Sequence, residues 1–400
     1  MDTITHGIIG ALIGKAFFAG ELVTPSGLES PTNADRTAIC AATLGAVFPD
    51  IDTFAGPLAH NSLAIMTWHR AITHSLILLP LWAIVLAGIT RWLAARLRWP
   101  APKLPLLFSI YAVALASHIF LDLITSFGTM VWSPLSHARL AWDWLFIVDL
   151  SLTSLALAPQ LAAWSFQRPE SARHRAAAWW IIFSAAAFAL IPVTRTLNVP
   201  FSPFAAVGAT LVFALFFLWP LRSAALPRRT TLNRVGFALI ALYIACAGIS
   251  HHIAFRRVAD FARQSGITPQ EIAALPLPPS PARWAGMIAT PAILYRLELN
   301  PFSSAPVAME YFPQAPPNRY IAAARELPDV RTFYWFARFP LVRYSESPDG
   351  DPVVLISSMS FYRGPSRRQD STEPDMANFT FRIVFSPQAR VLSHGWVRPE

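Results

Sequence analysis

Cysteine is almost missing from this chain: Cys40 and Cys246 are the two in 400 residues, and both lie in apolar stretches. That excludes a disulfide framework and a thiolate metal site. Charge is scarce as well, with 14% Asp, Glu, Lys and Arg against 54% apolar residues, a balance that rules out a single ordinary soluble domain. Nothing after Met1-Asp2 resembles a basic n-region or a small-residue cleavage site, so the first apolar segment is expected to stay in the mature chain. No stretch repeats at a fixed period. The net charge of +9 comes largely from arginines in short loops between apolar segments. Such arginines orient membrane proteins, so the expected partner is the lipid bilayer and not nucleic acid.

What the chain has instead is a series of apolar runs near the ~20 residues needed to cross a hydrocarbon core of about 30 Å. Ile4–Ala19 and Arg36–Phe48 are short enough to be tilted or re-entrant. Ala71–Leu93, kinked at Pro80, is followed by Leu104–Ser126, Trp144–Trp164, Ala177–Thr194, Ala205–Leu221 and Val235–Ala254. The expected fold is an all-α polytopic membrane bundle of about 7–8 apolar helices, followed by a small strand-rich α+β soluble domain. His6, Gly10 and Gly14 share one helical face, and Ala38, Ala41, Ala42 and Gly45 make a second small-residue face, so two helices can approach closely there.

The basic loops Arg91–Lys103, Arg168–Arg175 and Arg222–Arg234 alternate correctly for a cytoplasmic location. Phe127–Asp143, Arg195–Pro203 and the C-terminal region then face outward, with Arg256-Arg257 the one dissent. The expected organisation is a metal-site region over 1–165, further transmembrane helices over 166–255, and a short helix with a proline-rich linker over 256–282. Thr268-Pro-Gln-Glu271 reads as the capping box of that helix, and Leu275–Pro281 as the linker. In the soluble domain, 283–400, strands are expected at Tyr295–Leu299, Val353–Ser358 and Phe379–Phe385, and a mobile loop at Gly364–Ala377.

Two polar clusters interrupt the apolar pattern: His69-Arg-Ala-Ile-Thr-His74-Ser, where a polar loop meets an apolar run, and Ser117-His118-Ile-Phe-Leu-Asp122 inside another. Ionisable groups are too costly in such places to be left unpaired. His118 and Asp122 stand four apart, so imidazole and carboxylate share a helix face and can bind one cation. His69 and His74 stand five apart and need a turn at Trp68–Arg70 to reach a common point. Asp50 and Asp52 follow Pro49, and His6 lies on the small-residue face. The bland alternatives are a hydrogen-bonded His–Asp pair, helix caps and a snorkelling Arg70. On the topology above, however, all these residues converge on the outer side. Imidazole and carboxylate without thiolate suit zinc, with manganese second, and more than four ligands suggest two or three ions. Such clusters activate water for hydrolysis, with carboxylates not on metal available as general base.

Asp2-Thr-Ile-Thr-His6-Gly, Phe48-Pro-Asp50-Ile-Asp52, His69-Arg-Ala-Ile-Thr-His74-Ser and His118-Ile-Phe-Leu-Asp122-Leu-Ile-Thr-Ser-Phe-Gly128 occur in that order. Together they resemble the YdjM-type family of bacterial inner-membrane proteins, predicted to be metal-dependent hydrolases. Trp132-Ser-Pro-Leu-Ser and Phe146-Ile-Val-Asp149 resemble later blocks of that family. The resemblance implies a metal site at His6, Asp50, Asp52, His69, His74, His118 and Asp122, with Asp149 beside it. Its distant similarity to zinc-dependent phospholipase C and P1-type nucleases implies phosphodiester hydrolysis. The candidate catalytic residues are Asp52, Asp149 and Arg70, the last facing a substrate anion. The expected function is a membrane-bound, metal-dependent hydrolase, using one to three zinc ions, with a lipid or lipid-linked phosphoester as substrate. A transporter or packing protein using His/Asp pairs as proton relay is the competing class. It predicts polar residues continuing to the inner face, where this sequence has few.

Overall fold

The computed structural model describes residues 1–20, 22–23, 29–30, 32–55, 63–196, 201–222, 227–278, 281–303, 308–362 and 379–397. His60 and the stretch 364–377, expected to be a mobile loop, lie outside them. The chain forms two compact units. One contains Met1–Ala55, Arg70–Gly248 and Pro278–Ser280; the other contains Gly56–His69, Ile249–Leu277 and Pro281–Glu400.

The first unit opens with α1, Thr3–Ile13, capped by the Asp2 carboxylate, which accepts from the Thr5 N–H at 2.9 Å. A π-turn, Gly14–Phe18, ends it. After the short antiparallel pair β1 (Leu22–Val23) and β2 (Glu29–Ser30), α2 runs from Asn33 to Val47 behind a capping box of Thr32 and Asp35. Pro49 then starts a 3-10 turn, Phe48–Phe54, because proline fits the first turn of a helix and not its interior. Helices follow at Leu79–Leu97, Leu104–Leu123, Leu150–Ser165, Pro169–Thr196, Pro203–Phe217 and Arg229–Gln264.

Four of the described helices are long and apolar enough to cross a membrane: Leu79–Leu97, Leu104–Leu123, Pro169–Arg195 and Arg229–Gln264. Thr3–Phe18 and Pro203–Phe217 are apolar but shorter. At about 1.5 Å per residue, a 15-residue helix covers about 22 Å, less than the hydrocarbon thickness of about 30 Å. The expected 7–8 apolar helices therefore reduce to four full-length candidates among the described residues. Pro80 does not kink a helix; it sits in the first turn of Leu79–Leu97, where its missing N–H costs nothing. The expected Ala71–Leu93 segment thus begins with a 3-10 turn, Ile72–His74, and becomes helical at Leu79. Likewise the Trp144–Trp164 segment becomes helical at Leu150, behind its cap Asp149.

Small residues set the α1–α2 seam. A Cβ on Gly10 would lie 2.5 Å from Ala46 Cβ and 2.7 Å from the Ala42 carbonyl oxygen. One on Gly45 would lie 2.9 Å from both Ala114 Cβ and Tyr111 Cδ1, which brings α2 onto Leu104–Leu123. Ala38, Ala41, Ala42, Ala83, Ala87, Tyr111 and Leu115 fill this interior.

The second unit contains two four-stranded antiparallel sheets. The first has the order β3-β4-β5-β6 (Glu271–Leu277, Arg283–Ala289, Ile293–Leu299, Ala308–Pro313). The second has the order β10-β9-β8-β7, with β7 at Pro340–Glu346, β8 at Pro352–Ser358, β9 at Thr380–Phe385 and β10 at Val391–Trp396. Phe381, Ile383 and Phe385 are buried on one face of β9, as their alternation predicts. The helix expected after Thr268 is instead strand β3, paired with β4 from Glu271 to Leu277. Pairing along the whole strand overrides the local capping signal, and Pro276 is tolerated because β3 is an edge strand.

Candidate metal centre

Four elements of the first unit meet at one point. The 3-10 turn after α2 supplies Asp50, the turn Ile72–His74 supplies His74, and Leu104–Leu123 supplies His118 and Asp122 one turn apart. One donor atom from each of these four side chains lies within 4.8 Å of the others. His74 Nε2 is 3.0 Å from His118 Nε2, 3.1 Å from Asp122 Oδ2 and 3.7 Å from Asp50 Oδ1. His118 Nε2 is 3.5 Å from Asp50 Oδ1 and 3.5 Å from Asp122 Oδ2. A tetrahedral ion with bonds of about 2.0–2.1 Å holds its donors about 3.3–3.4 Å apart. The separations fit that figure.

The surrounding contacts fix how each donor points. His118 Nδ1 donates to the Ala46 carbonyl at 2.6 Å, which leaves Nε2 with its lone pair inward. His74 Nδ1 faces Asp52 Oδ2 at 3.2 Å, a carboxylate–histidine pairing typical of metal ligands. Asp52 Oδ2 also accepts from the Arg70 N–H (3.0 Å) and the Thr73 hydroxyl (2.8 Å). Thr3 Oγ1 donates to Asp50 Oδ2 at 2.5 Å. Asp122 Oδ1 is engaged by Arg70 Nη2 at 2.9 Å, His6 Nε2 at 3.2 Å and the Met1 ammonium. Two buried atoms find no hydrogen-bond partner: Asp122 Oδ2, among the donors, and His6 Nδ1, whose ring stacks on His118 at 3.6 Å. A carboxylate oxygen in contact distance of two imidazoles without hydrogen-bond alignment is suited to a cation. The donor set therefore fits a divalent metal ion.

Burial alone would push the Asp50 carboxyl up, but hydrogen bonds from His118 and His74 carry it well below the ordinary carboxylate range. For His74, burial opposes the charged form, yet Asp122, Asp50 and Asp52 raise it from 6.5 to about 10.

Of the residues singled out in the sequence, the structure brings together Asp50, His74, His118 and Asp122, with His6, Asp52 and Arg70 in contact around them. Arg70 is buried: its Nη1 donates to Thr125 Oγ1 at 3.0 Å, and its guanidinium lies 4.9 Å from the Phe127 ring centre. Its charge thus serves Asp122 in place of an incoming anion. Asp149 caps Leu150–Ser165 through the Ser151 and Leu152 N–H groups and accepts from the Tyr243 hydroxyl at 2.9 Å. His69 belongs to the other unit, its N–H donating to the Ala64 carbonyl at 3.2 Å, and is not in the donor group. Sequence reasoning missed Thr3 and the Ala46 carbonyl; only the threonine, inside the Asp2–His6 motif, carried a signal.

Spanning helices and a buried two-histidine, two-aspartate group define a polytopic membrane protein with a candidate metal centre. The profile of the YdjM inner membrane protein family matches residues 1–198, and through this region the chain belongs to that family. The chain is also similar to the uncharacterized protein YfhP of Bacillus subtilis (strain 168), at 29% identity over 142 residues. That match covers 35% of this chain and spans 39% of the relative's length. No solved structure matches.

Proposed function

We propose that the protein is a membrane-bound, zinc-dependent hydrolase acting on a lipid or lipid-linked phosphoester. The observation that carries the reading is the set of two imidazoles and two carboxylates at tetrahedral spacing, each imidazole fixed through its second nitrogen. When bound, zinc supplies a Lewis acid and acidifies a water toward pKa about 7. The chain's own residues do the rest. Asp52 and the Ala46 carbonyl hold the imidazole protons on Nδ1, so both Nε2 atoms stay available as donors. Arg70 offsets the Asp122 charge. Asp52, with three donors on one oxygen, and Asp149, a helix cap, are positioning residues in this reading and not bases. Exposed Ile51, Phe54 and Ile72, in the segments that carry Asp50, Asp52 and His74, support approach of the substrate from hydrocarbon. The alternating basic loops support a site, and a C-terminal unit, on the outer face.

The test is a panel of phospholipids and lipid-linked phosphates offered to zinc-loaded, detergent-purified protein. Cleavage of at least one, abolished by Asp122→Asn in a chain that still folds, is the expected result. No cleavage by a metal-loaded chain refutes the phosphoesterase reading. The crowding of Arg70, His6 and the Met1 ammonium on Asp122 favours a second reading, a charge network that only fixes helix packing. In that case Asp122→Asn unfolds the chain, and the wild type carries no metal.

A further inference from the structure

Four protein donors close a tetrahedron, whereas a hydrolytic metal centre needs a position for water or substrate. One donor must therefore be able to leave, and the contacts differ sharply in what each is tied to. Asp122 lies within a helical turn and is engaged by Arg70, His6 and the Met1 ammonium. His118 is held through the Ala46 carbonyl, and His74 through Asp52. Asp122, His74 and His118 are 0% exposed. Asp50 differs on every count: it sits in a 3-10 turn, retains 6% exposure, and stands farthest from His74 of the measured pairs, at 3.7 Å. Its second oxygen is held by one neutral group, Thr3 Oγ1.

From these contacts, and resting on the metal centre proposed above, we infer that Asp50 is the displaceable ligand, which leaves for an incoming phosphate oxygen while Thr3 retains its carboxylate. Rotation toward Thr3 leaves the carboxylate hydrogen-bonded, so it is not stranded as an unpaired buried charge. Asp50 thereby gates access, and Thr3 is a positioning residue that acts through it.

The test uses full-length, detergent-purified protein loaded with Co(II), read by visible absorption and by metal stoichiometry. Inorganic phosphate is the probe. In the wild type, phosphate should change the band intensity and position. Asp50→Asn should keep about one ion per chain with affinity weakened no more than about tenfold, and its spectrum should resemble the phosphate-treated wild type. Asp122→Asn should lose more than about a hundredfold in affinity, as a firm ligand does. Thr3→Val should raise the phosphate concentration needed for half-response about tenfold, and Thr3→Ser should restore it. A cobalt spectrum indifferent to phosphate in the wild type overturns the inference, as does loss of metal in Asp50→Asn equal to that in Asp122→Asn. A wild type that takes up no metal overturns both this and the proposed function. A chain that responds to phosphate yet cleaves nothing sinks the hydrolase reading and leaves this one standing.

Discussion

Asp52→Asn separates a carboxylate that binds the ion from one that orients a ligand. In the structure, Asp52 Oδ2 faces His74 Nδ1 at 3.2 Å and accepts from the Arg70 N–H and the Thr73 hydroxyl. Asparagine keeps an acceptor oxygen but loses the charge that polarises the imidazole. Removing such an outer partner costs about 10–100-fold in metal affinity, or about 1.4–2.7 kcal/mol at about 1.36 kcal/mol per tenfold. The two other bonds fall from charge-assisted to neutral strength, which takes about 1 kcal/mol from each and destabilises the fold besides. Competition with a chromophoric chelator should therefore give a dissociation constant 10–100-fold higher, with full stoichiometry at saturating zinc. An affinity within about twofold of wild type would show that Asp52 does not act through His74. Loss of stoichiometric binding would make it a ligand, as the sequence motif suggested.

Gly10→Ala places a Cβ against Ala46 Cβ and the Ala42 carbonyl, so α1 and α2 must separate; thermal unfolding in detergent should report about 1–3 kcal/mol of destabilisation. Because Ala46 also accepts from His118, metal affinity should fall in the same variant. The His74 pKa of about 10 means that zinc must displace a proton at neutral pH. Calorimetry in buffers of different ionisation enthalpy should then show about one proton released per ion, with apparent affinity rising about tenfold per pH unit toward pH 10. Because this folded value is raised above 6.5, the ion-free fold gains a contribution that is complete below pH 6.5 and lost as pH climbs through about 10. A phosphatase reporter fused after Glu400 should be active and a fluorescent one dark; the opposite result would place the C-terminal unit in the cytoplasm.

The parts of the site legible in the sequence were those fixed by local geometry. His118 and Asp122 could be paired because a helix alone brings positions four apart together. The α1–α2 seam was legible for the same reason, since Gly10 and Gly14 on one face leave room only for a close partner. Asp50 and Asp52 looked equivalent in sequence. In a 3-10 turn, though, side chains two apart diverge by about 120°, so one faces the donor group and the other reaches the far nitrogen of His74. His69 and His74 were separated by a backbone feature that no motif announces: Arg70 adopts φ 61°, in the left-handed region, and turns the chain between them. The strand at Glu271 was illegible because its partner, β4, lies beyond a second set of prolines and outweighs the capping signal.

The central claim is that the buried Asp50, His74, His118 and Asp122 side chains hold a metal ion. Elemental analysis of the detergent-purified full-length chain, beside the double variant His118→Ala with Asp122→Ala, tests it most directly. The account predicts at least about one zinc or manganese ion per wild-type chain and none in the variant. A wild type that is folded, incubated with zinc and still free of transition metal would contradict it.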